Sequence, residues 1–224
     1  MFKKKKNLAI DLSIVLIPCL LIICMLGYSL LKDVKNMIPQ DNIIVEKDTH
    51  NINDYDYHLK DDATEFQLNK FTELKTEIEK EESEKDDLKI ASLIVENFVS
   101  DMYTWTNKKG SYDMGGLYYV YSPSRLIIKE ENENTLYLNL GNYIKEYGQG
   151  NLLEVTSVTA TAKEKGQVEL NGEKYDAFHV DCEWTYKESS VFNTNDFVDK
   201  QYFSLIKLPT GRFEIYEQYG DANE

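Results

Sequence analysis

The chain has 224 residues, with 25 basic against 39 acidic side chains and a formal charge of −14. That balance excludes nucleic acid as a partner, because so acidic a surface repels phosphate backbones and no basic run interleaved with aromatics offsets it. Of the three cysteines only Cys182 lies beyond the apolar N-terminal run, which excludes an intrachain disulfide from the rest of the chain and leaves its stability to a hydrophobic core.

Leu12 to Leu31 are twenty consecutive uncharged, mostly aliphatic residues. As a helix they span ~30 Å, the hydrocarbon thickness of a bilayer. Lys3, Lys4, Lys5 and Lys6 precede the run, and basic residues stay on the cytoplasmic side. The expectation is a cytoplasmic tail at 1–11, a transmembrane helix at 12–31 and everything beyond outside the cell membrane. Pro18 is a kink that lipid-embedded helices tolerate, and Tyr28 suits the far interface. Two rivals rank below this anchor. Gly27-Tyr28-Ser29 is a weak signal-peptidase site, but the run exceeds a usual signal core. Cys24 sits where a lipobox cysteine would, but Ile23 stands where a small residue is needed. Beyond Lys32 remain 20 basic and 38 acidic side chains, a formal charge of −18.

Residues 32–87 read as a stalk, flexible as far as Asp62, where no hydrophobic period holds and Asp and Asn scatter. From Ala63 to Asp87 it is helical: Phe71, Leu74 and Ile78 keep three-four spacing, but Glu81 and Lys85 break the seam before it can make a coiled coil. His50 and His58 have no metal-site geometry. The folded domain is expected at 88–220, with 221–224 as a tail. Leu88, Ala91, Val95, Phe98, Met102 and Trp105 form one apolar helical stripe opposite Lys89, Glu96 and Asp101, and Lys108-Lys109-Gly110 ends it. Leu117 to Tyr121 reads as a short aromatic strand. Thr135 to Lys145 fits a strand or a helix and slightly favours a short helix.

Strands dominate the rest. Leu153 to Lys163 is rich in Val and Thr. Val168 to Leu170 joins Tyr175 to Tyr186 through Asn171-Gly172, a pair suited to tight hairpins. Gln201 to Leu208 and Arg212 to Gln218 make a last hairpin around Pro209-Thr210-Gly211. Along the long strand Phe178, Val180, Cys182, Trp184 and Tyr186 face one way and His179, Asp181, Glu183 and Thr185 the other. A long helix followed by antiparallel hairpins implies an α+β domain with a curved sheet laid over the helix. In element order and length, the stretch from Leu88 to Gly220 resembles the nuclear transport factor 2-like superfamily, which hosts enzymes, binding domains and scaffolds alike.

His179, Asp181 and Glu183 share one strand face and could meet a cation or polar substrate. The resemblance puts the pocket on the opposite, concave face, so the three read as a solvated outer surface, with no metal and no catalytic role. No phosphate loop, nucleophile elbow or zinc-protease helix is present, and no cofactor is implied. Cys182 reads as inert packing. Tyr103, Trp105, Tyr118, Tyr119, Tyr121 and Trp184 line a ligand pocket or fill a core, and filling is the commoner use of such residues. The surfaces left to meet a ligand or partner are Tyr118, Tyr119 and Tyr121, and His179, Asp181 and Glu183.

The leading functional reading is a non-enzymatic, membrane-anchored scaffold of a bacterial envelope complex. It resembles the single-pass assembly factors of conjugation and type IV secretion channels, whose partners would be the membrane, other envelope proteins and a second copy of the chain. The alternatives are an anchored sensor of a small molecule or peptide, which needs a roomy aromatic pocket, and a pocket enzyme of isomerase or dehydratase type, which needs an inward-facing ionisable residue.

Overall fold

The computed structural model describes residues 50–52 and 55–220, which belong to one compact unit, Glu46–Glu224. The Leu12 to Leu31 run, the lysines before it and the tail 221–224 lie outside these residues. Among the described residues no helix is long and apolar enough to cross a membrane.

Much of the expected stalk belongs to the domain. β1 (His50–Ile52) pairs antiparallel with β2 (Tyr57–Leu59), and Ile52, Tyr57 and Leu59 are buried. The Tyr57 hydroxyl donates to the Phe213 carbonyl at 2.6 Å and accepts from the Phe213 N–H at 2.9 Å, tying this hairpin to the far end of the chain. Three-residue strands are too short to show a period. α1 (Glu65–Ile78) starts in a capping box: Thr64 N–H donates to Gln67 Oε1 and Gln67 N–H to Thr64 Oγ1. Its seam of Phe71, Leu74 and Ile78 is too short for a coiled coil, yet it is wide enough to bury against α2 (Asp87–Met102).

Asp86 caps α2, its Oδ1 accepting from the N–H groups of Leu88 and Lys89 at 3.0 and 3.2 Å. The helix stops at Met102 rather than at Lys108-Lys109-Gly110. Beyond it the chain turns to meet residues 153–155: the N–H groups of Trp105 and Thr106 donate to the Leu153 carbonyl, and that of Val155 to Thr104 Oγ1. Trp105 therefore leaves the helical stripe. The flank carrying Glu96 and Asp101, expected in water, is buried together with Asn97 and Ser100. The cause is α1 on one side and the sheet on the other; α2 is a central helix, not a surface one.

Leu117 to Tyr121 is not a regular strand. Leu117–Tyr119 forms a 3₁₀ turn, after which Val120 makes a single parallel bridge to Ile215 and Tyr121 N–H donates to the Ile215 carbonyl. Gly116 permits this turn at φ 76°, with Phe98 so close that a Cβ would sit 2.9 Å from its ring. α3 (Arg125–Glu133) has no counterpart in the sequence reading. α4 (Leu140–Tyr147) overlaps the segment where a short helix was favoured.

β3 (Val155–Leu170) and β4 (Glu173–Tyr186) make one long hairpin whose turn, Asn171-Gly172, takes φ 53° and 83°, the hand that matches two right-twisted strands. β3 runs through the gap assumed after Lys163, absorbing a bulge between Glu164 and Gly166. With β5 (Lys200–Lys207) and β6 (Phe213–Tyr219) the order is β3-β4-β5-β6, antiparallel throughout, and the sheet is curved. The architecture is α+β. Phe178, Val180, Cys182 and Trp184 turn inward as the alternation predicts, beside Phe203, Leu205 and Ile215. Phe98 of α2 meets Phe203 edge-on at 5.7 Å; burying one such side chain is worth roughly 1.5–3 kcal/mol. β3 is a sheet edge, and two of its N–H groups are taken by α2: Ala160 donates to Glu96 Oε1 at 3.2 Å and Ala162 to Ser92 Oγ at 3.0 Å.

Candidate functional site

The outer face of the sheet carries His179, Asp181 and Glu183 as the alternation requires. Register sets Lys163, Thr161 and Thr159 of β3 opposite them on one side, and Ser204, Tyr202 and Lys200 of β5 on the other. His179 Nε2 lies 2.8 Å from Asp181 Oδ1, Lys163 Nζ 2.9 Å from Asp181 Oδ2, and Lys200 Nζ 2.6 Å from Glu183 Oε1. Partial burial would raise the Asp181 pKa, but the hydrogen bonds and charges of Lys163 and His179 outweigh it and hold the carboxyl below its usual range. An ionised carboxylate only accepts, so Nε2 donates to Asp181, while Nδ1 lies 2.6 Å from the Tyr219 hydroxyl.

The ring stacks on Tyr202 at 6.0 Å, and Tyr202 on Tyr219 at 6.1 Å. Two adjoining hollows open beside this ladder. One, of about 540 Å³, is lined by Ser157, Thr159, Glu183, Trp184, Thr185, Asp199 and Lys200. The other, of about 280 Å³, is lined by Thr159, Thr161, Asp181 and Glu183. Ion pairs flanked by serine and threonine hydroxyls suit a hydrogen-bonded contact. Among the described residues no group of three or more His, Cys, Asp or Glu is placed to hold a metal ion.

The tyrosines of 118–121 are built around other partners. Tyr119 is buried and stacks on Tyr57 at 5.2 Å, so it is core. The Tyr118 carbonyl accepts from Arg212 at 2.6 Å, and its ring lies 4.7 Å from that of His58. The Tyr121 hydroxyl accepts from Asn171 Nδ2 at 3.1 Å. Arg212 organises this region: its guanidinium also lies 5.1 Å over the Tyr57 ring and pairs with Glu214 at 3.3 Å and Asp56 at 3.6 Å. These contacts join β2, the 3₁₀ turn and β6, a structural role.

A second polar cluster, which the sequence reading missed, lies at the end of α2. Lys108 is fully buried and its Nζ lies 2.7 Å from Asp101 Oδ1, while Gly116 N–H donates to Asp101 Oδ2 at 2.7 Å. Lys60 pairs with Asp113 nearby. Gln67 Nε2 donates to the Ser100 carbonyl at 3.0 Å, and Asn107 Nδ2 to Gln67 Oε1 at 2.9 Å. Burial alone would raise the Asp101 pKa; the charges of Lys108 and Lys60 and the Gly116 N–H outweigh it and lower it. A lysine and an aspartate seven apart across a helix end were the available signal. Burial, conversely, drives the Cys182 thiol far above its ordinary pKa, leaving it un-ionised and inert.

The third cluster is aromatic. Trp105, 3 % exposed, stacks on Tyr143 of α4 at 6.2 Å and meets Phe192 and Phe197 edge-on at 6.2 and 5.7 Å. Tyr147 packs on Tyr143 and Phe192. Phe192 and Phe197 come from the β4–β5 connection, which showed no hydrophobic period and went unremarked in sequence. Among the described residues, no acceptor reaches the buried Trp105 indole N–H. Comparison of the chain with family models, with curated proteins and with solved structures finds no match.

Proposed function

We propose that the chain is a non-enzymatic scaffold, an extracytoplasmic domain anchored by Leu12 to Leu31 with its N-terminus in the cytoplasm, which assembles other envelope proteins. The observation that supports this reading is the filling of the cleft between α2 and the sheet. In a domain resembling the nuclear transport factor 2-like superfamily, a substrate or ligand would enter there. Here Tyr103 lies against Trp184 at 4.8 Å and hydrogen-bonds Gln201 Oε1 at 2.7 Å, and Phe98 lies against Phe203. The cleft is spent on packing, and the hydroxyl- and charge-lined outer face of β3, β4 and β5 is what the domain offers to a neighbour. A role like that of the assembly factors of conjugation or type IV secretion channels fits this arrangement.

Photo-crosslinking in intact cells tests the proposal. With a crosslinking residue at Thr159 or Tyr202, envelope proteins should be trapped, and replacing His179, Asp181 and Glu183 with alanine should abolish the adducts. Absence of adducts from both positions would overturn the outer face as interface. The anchor is tested apart from this: a protease that cannot cross the membrane, added to intact protoplasts, should remove the domain. Survival of the domain while an external control protein is digested would reverse the topology.

A further inference from the structure

The β4–β5 connection, residues 187–199, is fastened at both ends. Lys187 N–H donates to the Glu154 carbonyl, Trp184 N–H to the Asp199 carbonyl, and the Tyr186 hydroxyl to the Val198 carbonyl. Between those fastenings one long hydrogen bond leaves the segment, from Ser189 Oγ to the Asn151 carbonyl at 3.4 Å, and the others close within it. Ser189 Oγ accepts from the N–H groups of Val191 and Phe192, Asn193 Nδ2 donates to Asp196, and Phe197 N–H to the Thr194 carbonyl. Apart from the Ser189–Asn151 bond, what holds its middle to the domain is the edge-on packing of Phe192 and Phe197, each only half-buried, on Trp105 and Tyr143. The Trp105 indole N–H, on the ring they pack against, is buried, and no acceptor among the described residues reaches it. A buried donor left unsatisfied is unfavourable, and an apolar box with one waiting donor describes what would complete it.

We propose that residues 187–199 are a displaceable lid, and that the box beneath takes an aromatic side chain from a partner polypeptide, with a backbone carbonyl of that partner accepting from the Trp105 indole N–H. Phe192 and Phe197 are the resident stand-ins: they show that the box accepts phenyl rings edge-on against Trp105, while supplying no acceptor for it. Tyr143 and Tyr147 on α4 form the fixed wall. Hinging is economical because opening breaks ring contacts and the one long Ser189–Asn151 hydrogen bond but keeps the fastenings at 184–187 and 198–199. Aromatic residues seated in desolvated pockets carry a large share of binding energy at protein interfaces. That the occupant is a polypeptide rests on the scaffold reading; the box itself does not.

The chain has two tryptophans, so the full-length protein in detergent micelles, labelled with ¹⁵N-tryptophan, shows two indole N–H signals, which Trp105→Phe assigns. N-acetyl-phenylalaninamide is the probe, and N-acetyl-alaninamide the control. The expected result is a saturable downfield shift of the Trp105 indole proton with the phenyl probe alone, while the Trp184 signal stays in place. Replacing both Phe192 and Phe197 with alanine removes the internal competitor and should tighten the probe by about tenfold, since apparent affinity scales with the open fraction. No saturable shift in the unmodified protein at millimolar probe, or an equal response to the alanine control, overturns the proposal. The unmodified protein decides the matter even if the double variant does not fold. Loss of this binding while crosslinked partners persist would sink the box alone; binding without partners in cells would sink the scaffold reading alone.

Discussion

Two carboxylates, Asp101 and Asp181, are each paired with a lysine at nearly the same distance, 2.7 and 2.9 Å. They differ in solvent. The Lys108 side chain is 0 % exposed and that of Asp101 9 %, whereas Lys163 is 63 % and Asp181 36 % exposed. Geometry therefore says little about what either pair does. In water an ion pair is screened and adds little, so its members remain available to a neighbour. Inside the protein neither charge tolerates the loss of the other, and the cluster at the end of α2 fixes the path of the chain from Met102 to Gly116.

The sharpest way to break this comparison is to remove one partner. Lys108→Ala leaves Asp101 buried and unpaired and should cost about 3–5 kcal/mol of unfolding free energy in denaturant titrations. The paired change Asp101→Asn with Lys108→Met should cost clearly less, since no lone charge remains. If the single change costs no more than the double, the pair is not what holds the cluster. Gly116→Ala tests the same cluster through the backbone: a side chain at φ 76° and against Phe98 should cost roughly 1–3 kcal/mol. A loss near zero would show that the turn can shift away from Phe98.

Acid offers a gentler probe. The folded-state pKa of Asp101 is lowered, so its stabilising contribution is complete above the ordinary aspartate value of about 3.9 and is lost as pH falls through the lowered folded value. Thermal midpoints of the unmodified protein should carry this acid-side decline, and Asp101→Asn should flatten it. Equal acid sensitivity in both proteins would assign the decline to other carboxylates. The smallest effect is expected on the outer face. Alanine at His179, Asp181 and Glu183 together should shift stability by no more than about 0.5 kcal/mol each, while removing crosslinked partners. A large loss of stability there would make that face structural.

How far the fold is legible in sequence differs between strand and helix for a physical reason. A strand has two faces, and along β4 the alternation assigns Phe178, Val180, Cys182 and Trp184 to the core and His179, Asp181 and Glu183 to the outside, as observed. Asn171-Gly172 likewise announces its turn, because few residue pairs accept those backbone angles. A helical wheel assumes one buried side, and α2 has two. Placing Asp101 in water follows from that assumption, and only the partner packed on the second side, α1, corrects it. α1 is hard to assign because a three-residue seam looks the same in a stalk as in a core. The lid residues Phe192 and Phe197 lie in a connection with no period at all; what groups them with Trp105 is three-dimensional proximity alone.

The bonds from Ala160 and Ala162 to Glu96 and Ser92 bear on what happens when many copies are crowded together. An edge strand with idle N–H groups invites a neighbouring chain to add itself as another strand, the usual route to fibrous aggregates. Here a helix of the same molecule has already claimed those two donors. Annealing of sheets edge to edge at β3 must break these intramolecular bonds before it makes intermolecular ones. Crowding therefore meets a barrier to runaway polymerisation at this edge, set by two bonds that the molecule makes to itself.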